Sequence, residues 1–346
     1  MAKAMQTRSA RINSMARARL HDCVVMPSAA WAPSRTLATP GKSGSTPPSS
    51  HLDPAPPAAP LVRRTGTPSA ALHTGGVMNH RAAPRRLNCA GVGIAALDAA
   101  EAVAWVIDRA RDLTQTPVSA PGETPSSSPP GVDVHLCNSY TLALADKEGD
   151  YRAMLDAATL NLADGTPVML ANRLLHHGAP KERVRGPGLF VQVLRAGRDD
   201  GIKHFLLGST QDTVGRLRDR LERELPGVQI VGTIAPPFRP LTAQELDDIT
   251  SAIATSGAHI VWVGLGTPKQ DWEVARLAAT LPVVAIAVGA AFDFVAGTVA
   301  EAPRWMQRSG TEWIHRLGSE PKRLWKRYLL GGPRFAAAVV RRRGQG

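Results

Sequence analysis

The sequence predicts an α/β protein: a Rossmann-like, doubly wound, mostly parallel sheet with a basic C-terminal helical appendage and a disordered N-terminal extension. Three observations carry that prediction. Short apolar, largely β-branched runs recur, Ile260-Val261-Trp262-Val263 being the clearest, and such runs mark strands buried on both faces. Stretches of helical period separate them. The strand ends run into glycine turns, two of which lead into Thr-Pro. Alternation of this kind builds a parallel sheet with right-handed crossovers.

Arg86 to Ile94 reads as a short strand with a glycine turn, and Ala95 to Leu113 as a helix with Leu97, Ala100, Val103, Val106 and Ile107 on one face. Residues 114–131 are a Pro/Ser-rich flexible insertion. Val132 to Cys137 is a strand ending at Asn138, and Asp150 to Ala158 is helical. Leu160 and Leu162 alternate as a short strand into Asp164-Gly165-Thr166-Pro167, which starts a helix from Val168 to Leu175. An Asp before Gly is commonly a turn former. Here it stands at the carboxyl end of a strand, where open α/β sheets place their ligands. Arg183 to Gly188 leads into a helix from Leu189 to Arg198. His204 to Leu207 is a strand, Asp212 to Leu225 a helix and Val228 to Val231 a strand. Leu241 to Ser256 is a helix opened by a Thr242/Glu245 capping box. Val283 to Val288 is a further buried strand, running into Gly289-Ala290-Ala291-Phe292-Asp293-Phe294.

The organising stretch is His259 to Gln270. After its strand come Gly264 and Gly266, where the backbone needs unusual dihedrals or close approach by a ligand. Thr267, Pro268 and Gln270 then suit the N-cap, N1 and N3 positions of a capping box. A helix N-terminus there offers free N–H groups to a phosphate, and Lys269 adds a cation. The stretch lacks the third glycine of the dinucleotide fingerprint and the spacing of a P-loop.

The net charge of +12 is unevenly spread. Residues 1–86 hold 12 Lys and Arg against Asp22 and Asp53, residues 304–346 hold 11 against Glu312 and Glu320, and 87–303 are left at −7. Residues 1–85 are rich in Ala, Pro, Ser and Arg with no sustained apolar period, and are expected to be disordered. They resemble a transit peptide, though an upstream start codon, with Met78 nearer the real beginning, is the preferred reading. No aromatic interleaving supports nucleic-acid binding there. No run of 18 apolar residues is present. Cys23, Cys89 and Cys137 are too scattered for a metal site or disulfide framework, so no metal ligands are assigned. Residues 86–303 form the α/β domain and 304–346 the appendage. Within the appendage, Trp305, Trp313 and Trp325 interleave with Arg304, Arg308, Arg316, Lys322, Arg323, Lys326 and Arg327. That face suits an anionic ligand or an anionic membrane surface.

In order and spacing, the motifs resemble the WecG/TagA/CpsF glycosyltransferase family. They are Asn138, Ala163-Asp164-Gly165, Arg183-Val184-Arg185-Gly186-Pro187, Phe205-Leu206-Leu207-Gly208, Pro236-Pro237-Phe238, Val263 to Gln270, Gly289 to Phe294, and Glu312-Trp313-Ile314-His315-Arg316-Leu317 with Glu320-Pro321. The resemblance runs from about residue 86 to 330 and omits 1–85. It implies an inverting, metal- and cofactor-independent transfer of a sugar, of N-acetylmannosamine type, from a UDP-sugar. The implied acceptor is a polyprenyl-diphosphate-linked sugar at the cytoplasmic membrane face, in bacterial surface-polysaccharide synthesis. Asp164 matches the family's base, with Gln270 the second catalytic position. Asn138 and Gln270 would orient sugar hydroxyls. Gly264, Gly266, Lys269, Arg316, Arg323 and Arg327 would meet the UDP charge, with Arg185 and Asp293 as further substrate-binding positions. The appendage is implied to bind membrane and close over the site; a homo-oligomer is compatible with the sequence.

Two departures stand out: Glu301 replaces a usual basic residue before Ala-Pro, and Asp271 replaces the Glu of Pro-Lys-Gln-Glu. Glu301 favours a rival reading, a nucleotide-binding scaffold that has lost turnover, whereas Asp164 and Gln270 favour the enzyme. A nucleic-acid binder driven by the basic ends is a third reading, and it predicts strongly salt-dependent binding.

Overall fold

The computed structural model describes residues 10, 13–20, 83–114 and 131–343. Nearly all of the 114–131 insertion, and most of residues 1–85, lie outside them. The described part of 1–85 corrects one expectation. Residues 13–20 form a helix, α1, whose Ala16 and Leu20 are buried in the core. Ala16 and Leu20 are four residues apart and so share one helix face, but two turns are too short to register as a sustained period.

Arg86 to Ile94 folds as two strands rather than one. β1 (Arg86–Cys89) and β2 (Val92–Ala95) pair antiparallel across Ala90-Gly91, both at positive φ, as a separate two-stranded sheet. The body is a six-stranded parallel sheet in the order β4-β3-β8-β7-β5-β6, from β3 (Val132–Cys137), β4 (Leu160–Ala163), β5 (Lys203–Gly208), β6 (Gln229–Ile234), β7 (Ile260–Gly264) and β8 (Val284–Ala287). Burial of β7 and β8 on both faces explains their continuous apolar runs, whereas β3 and β4 bury His135 and Asn161 among their apolar residues.

One face is covered by α3 (Ser139–Lys147), α4 (Gly149–Ala157), α5 (Thr166–Leu175), α8 (Ala243–Ser256), α9 (Lys269–Thr280) and α1. The other carries α2 (Ala99–Thr114), α6 (Gly186–Ala196), α7 (Gln211–Glu224) and α10 (Ala291–Ala296). The Thr242/Glu245 capping box at α8 is present with both bonds. The one expected at Thr267 is not. Pro268 stands directly before α9 without a side-chain cap, and Gln270 turns back to accept from the Gly266 N–H (3.0 Å).

The chain ends in α11 (Arg304–Ser309), α12 (Glu312–Ser319), α13 (Pro321–Leu329) and α14 (Gly331–Arg341). α14 packs back on α3, burying Phe335 and Ala338, and Arg341 and Arg342 both donate to Asp146. Among the described residues no helix is long and apolar enough to cross a membrane.

Candidate active site

Strand register assembles the site. Cys137 of β3 pairs with Ala163 of β4, so the next residues, Asn138 and Asp164, emerge side by side, and the Asp164 N–H donates to the Cys137 carbonyl (2.9 Å). Gly165 then turns the chain at φ 94°, a conformation that disfavours any side chain, and α5 leaves with Pro167 in its first turn. Asn138 caps α3: its Oδ1 accepts from the N–H groups of Tyr140 (3.0 Å) and Thr141 (3.2 Å). β7 and β8 end beside these strands and deliver the Gly266 and Gly289 turns. The site therefore lies at the carboxyl ends of β3, β4, β7 and β8, as open α/β sheets place theirs.

Two cavities meet there. The larger, about 310 Å³, is bounded by Asp164, Thr166, Pro167, Trp313, Tyr328 and Leu329 among others. The smaller, about 100 Å³, is enclosed by Arg185, Gly186, Gly266, Thr267, Gln270 and the Gly289–Ala291 turn. Asn138, Asp164, Glu312, Arg316 and Arg327 border both. Asp164 thus stands on the boundary between an aromatic and aliphatic chamber and a polar one.

Four arginines ring that boundary. Arg183 and Arg185 alternate along an extended segment, which sends both side chains to one side. Glu312, at the first residue of α12, bridges them: Arg183 donates to its Oε2 (2.8 Å) and Arg185 to its Oε1 (3.0 Å). Glu301 lies 3.9 Å from Arg185, so the reversed charge sits next to an arginine of the site. The Arg316 guanidinium covers the Phe294 ring (5.2 Å), and that of Arg327 covers Tyr140 (4.9 Å). Burial raises the Asp164 carboxyl above its ordinary value; Arg183 opposes the rise and Glu312 adds to it.

Asp164, Gln270, Asn138, Arg185, Gly266, Arg316 and Arg327 are thus brought together, whereas Gly264, Lys269 and Asp293 border neither cavity. Lys269 is buried, its Nζ 3.5 Å from the Arg239 carbonyl oxygen, because the helical turn sends consecutive side chains of α9 about 100° apart. A Cβ on Gly264 would stand 2.8 Å from the Phe292 ring, so this glycine serves packing. Asp293 accepts from Ser209 Oγ (3.1 Å). The side chain of Arg323 is outside the described residues. Sequence reasoning missed Arg183, Glu312 and Tyr328 as lining groups. For Arg183 the signal was its i, i+2 spacing from Arg185.

Behind the site runs a buried network. Tyr151 Oη donates to Asp271 Oδ2 (2.8 Å), and His135 stands between Asp271 (3.2 Å) and Asp133 (3.1 Å). Asp133 also receives the Thr159 hydroxyl (2.6 Å). Among the described residues no cluster of His, Cys, Asp and Glu could hold a metal ion.

The family model described as "Glycosyl transferase WecG/TagA/CpsF family" matches residues 87–346. The N-acetylglucosaminyldiphosphoundecaprenol N-acetyl-beta-D-mannosaminyltransferase of Bacillus spizizenii is 29% identical over 193 residues, 55% of this chain and 72% of that one. The protein of the same name from Bacillus subtilis is 28% identical over 212 residues, 61% of this chain and 80% of that one.

Proposed function

Because the chain belongs to the WecG/TagA/CpsF family of glycosyltransferases, we propose that it moves an N-acetylmannosamine-type sugar from a UDP-sugar to a polyprenyl-diphosphate-linked sugar. The observation that carries this reading is the place of Asp164, on the wall shared by an apolar chamber and an arginine-lined polar one. The donor diphosphate occupies the polar chamber, met by Arg185, Arg316, Arg327 and the N-terminus of α6 at Gly186. The acceptor sugar enters the larger chamber. Asp164 takes the proton of its hydroxyl, the oxygen attacks the anomeric carbon with inversion, and UDP departs with the electrons of the broken bond. The guanidinium groups meet the charge growing on that leaving group, the task that a metal ion performs elsewhere. Gln270, held by Gly266, and Asn138, held by α3, are rigid enough to orient sugar hydroxyls.

The relatives' names specify a polyprenyl-linked acceptor, and the larger chamber opens where such a lipid would arrive. Trp313 and Leu329 line it yet are partly exposed, beside the exposed Trp305 (66%) and Leu330 (61%). With Lys322 and Lys326 nearby, this face suits the inner surface of an anionic membrane.

The test is UDP release from a panel of UDP-sugars with a short-chain polyprenyl-diphosphate N-acetylglucosamine. Release with one donor is expected, reduced roughly 10²–10⁴-fold in Asp164→Asn and unaffected by a chelator. Release that survives Asp164→Asn would remove the assigned base.

A further inference from the structure

Helix α1 lies outside both cavities and outside the residues that the family model matches. It is nevertheless built into the core. Ala16 and Leu20, one turn apart, are fully buried in the same apolar cluster as Tyr151, Leu246, Ile249 and Trp272. At its rims Arg17 donates to Asp247 of α8 (2.6 Å) and Arg19 to Asp150 of α4 (2.9 Å). α8 leads into β7 and α4 into β4, while α9 joins β7 to β8 on that same face of the sheet. The strand order therefore puts α9 between them, and a helix that touches both crosses its outer side. α9 records the crossing. Every residue from Lys269 to Ala278 is buried, including the Glu273–Arg276 ion pair (2.7 Å). A helix with only a sheet beneath it keeps a polar face in water.

We propose that residues 13–20 act as an intramolecular clasp that fixes α9, and through it the Gly266–Gln270 turn. α4 and α8, the helices the clasp bridges, also grip α9 directly. Tyr151 of α4 holds Asp271, the residue after Gln270, and Arg276 of α9 donates to Thr250 Oγ1 of α8 (2.7 Å). The clasp closes a ring: α1 to α4, α4 to α9, α9 to α8, and α8 back to α1. The two exposed ion pairs add little; burial of Leu20 and Ala16 carries the docking. Residues 13–20 are then a working part of the folded protein. The inference does not rest on the transferase reading.

The experiment uses the full-length chain with Leu20→Asp and, separately, Ala16→Glu, followed by hydrogen exchange of α9 amides and by thermal midpoint. Both variants are expected to lose protection in α9 and to melt several degrees lower, with α7 on the opposite face still protected. Should either variant fail to fold, Leu20→Ala gives the graded form of the same loss. Unchanged α9 protection in the folded variants would overturn the clasp. So would a wild-type midpoint that climbs with protein concentration and stops doing so in Leu20→Asp, since that would place α1 on a second copy.

Discussion

Asp164 is a poorly solvated carboxylate, and that has two consequences. Burial raises its proton affinity in the folded protein above the ordinary 3.8, net of the opposing Arg183. The acid limb of kcat/KM is therefore expected above the range of an exposed carboxylate, read from a pH–rate profile. The folded state also binds this proton more tightly than the unfolded chain, so the charged form opposes folding. That cost is fully present at neutral pH and relaxes as pH falls through the raised value. Asp164→Asn is thus expected to melt higher than wild type at pH 7 while losing turnover, a combination that calorimetry and the UDP-release assay check together. At His135 the charged form favours folding instead, although stability again falls as pH rises. Burial, the largest influence, pulls its pKa down, but bonds and charges from Asp133 and Asp271 outweigh it and carry it to about 9. Its contribution is complete below the ordinary 6.5 and is lost as pH rises through about 9. Urea denaturation at pH 7 and pH 10 should show that fall. His135→Leu should remove most of it and cost about 3–5 kcal/mol at pH 7, because buried Asp271 and partly buried Asp133 lose their shared cation.

At the scale of elements, α12 is tied to the α/β body through Glu312, whose two oxygens engage Arg183 and Arg185. Replacing it with alanine leaves two partly buried guanidinium groups without that carboxylate, a local penalty of roughly 1–3 kcal/mol. Glu312→Ala is expected to lose hydrogen-exchange protection in α12 while the six-stranded sheet keeps its own. Equal protection in both proteins would mean that α12 is held by other contacts. The elements that sequence reasoning placed well are those whose signals are local. The Thr242/Glu245 box needs four residues, and the Asp164-Gly165-Thr166-Pro167 turn needs four more. α3 escapes a local reading because SYTLALADK has a weak apolar stripe and its clearest marker, the Asn138 cap, equally suits sugar binding. The β1–β2 hairpin hid behind a single glycine. Lys269 points to phosphate in the sequence because its neighbours do, whereas in the fold it is buried with its Nζ 3.5 Å from the Arg239 carbonyl oxygen and borders neither cavity. The pairing of Glu312 with Arg183 and Arg185 spans more than 120 residues of chain, beyond any local pattern.

On the scale of the whole molecule, charge and apolar surface are arranged together. Residues 87–303 carry a net −7 and residues 304–346 a net +9, so the basic end opposes an acidic body. The exposed Trp305, Trp325, Leu329 and Leu330 belong to that basic end. An anionic bilayer would attract one pole and repel the other, which orients the protein as well as holding it. Each Lys or Arg at such a surface contributes about 1 kcal/mol, and the indole rings favour the interface between headgroups and acyl chains. Binding to vesicles containing anionic lipid is therefore expected to be strong at low salt and to weaken as salt shortens the reach of the charges. The double variant Trp305→Ala/Trp325→Ala should weaken it at every salt concentration, because apolar insertion is not screened. Lys322→Glu/Lys326→Glu should weaken binding to anionic vesicles and shrink the loss on moving to neutral ones, since less electrostatic attraction would remain to lose. Co-sedimentation with anionic and neutral vesicles across a salt series separates the two contributions. Equal binding to both vesicle types, insensitive to salt, would mean that the basic pole faces water and that the acceptor reaches the larger chamber from another side.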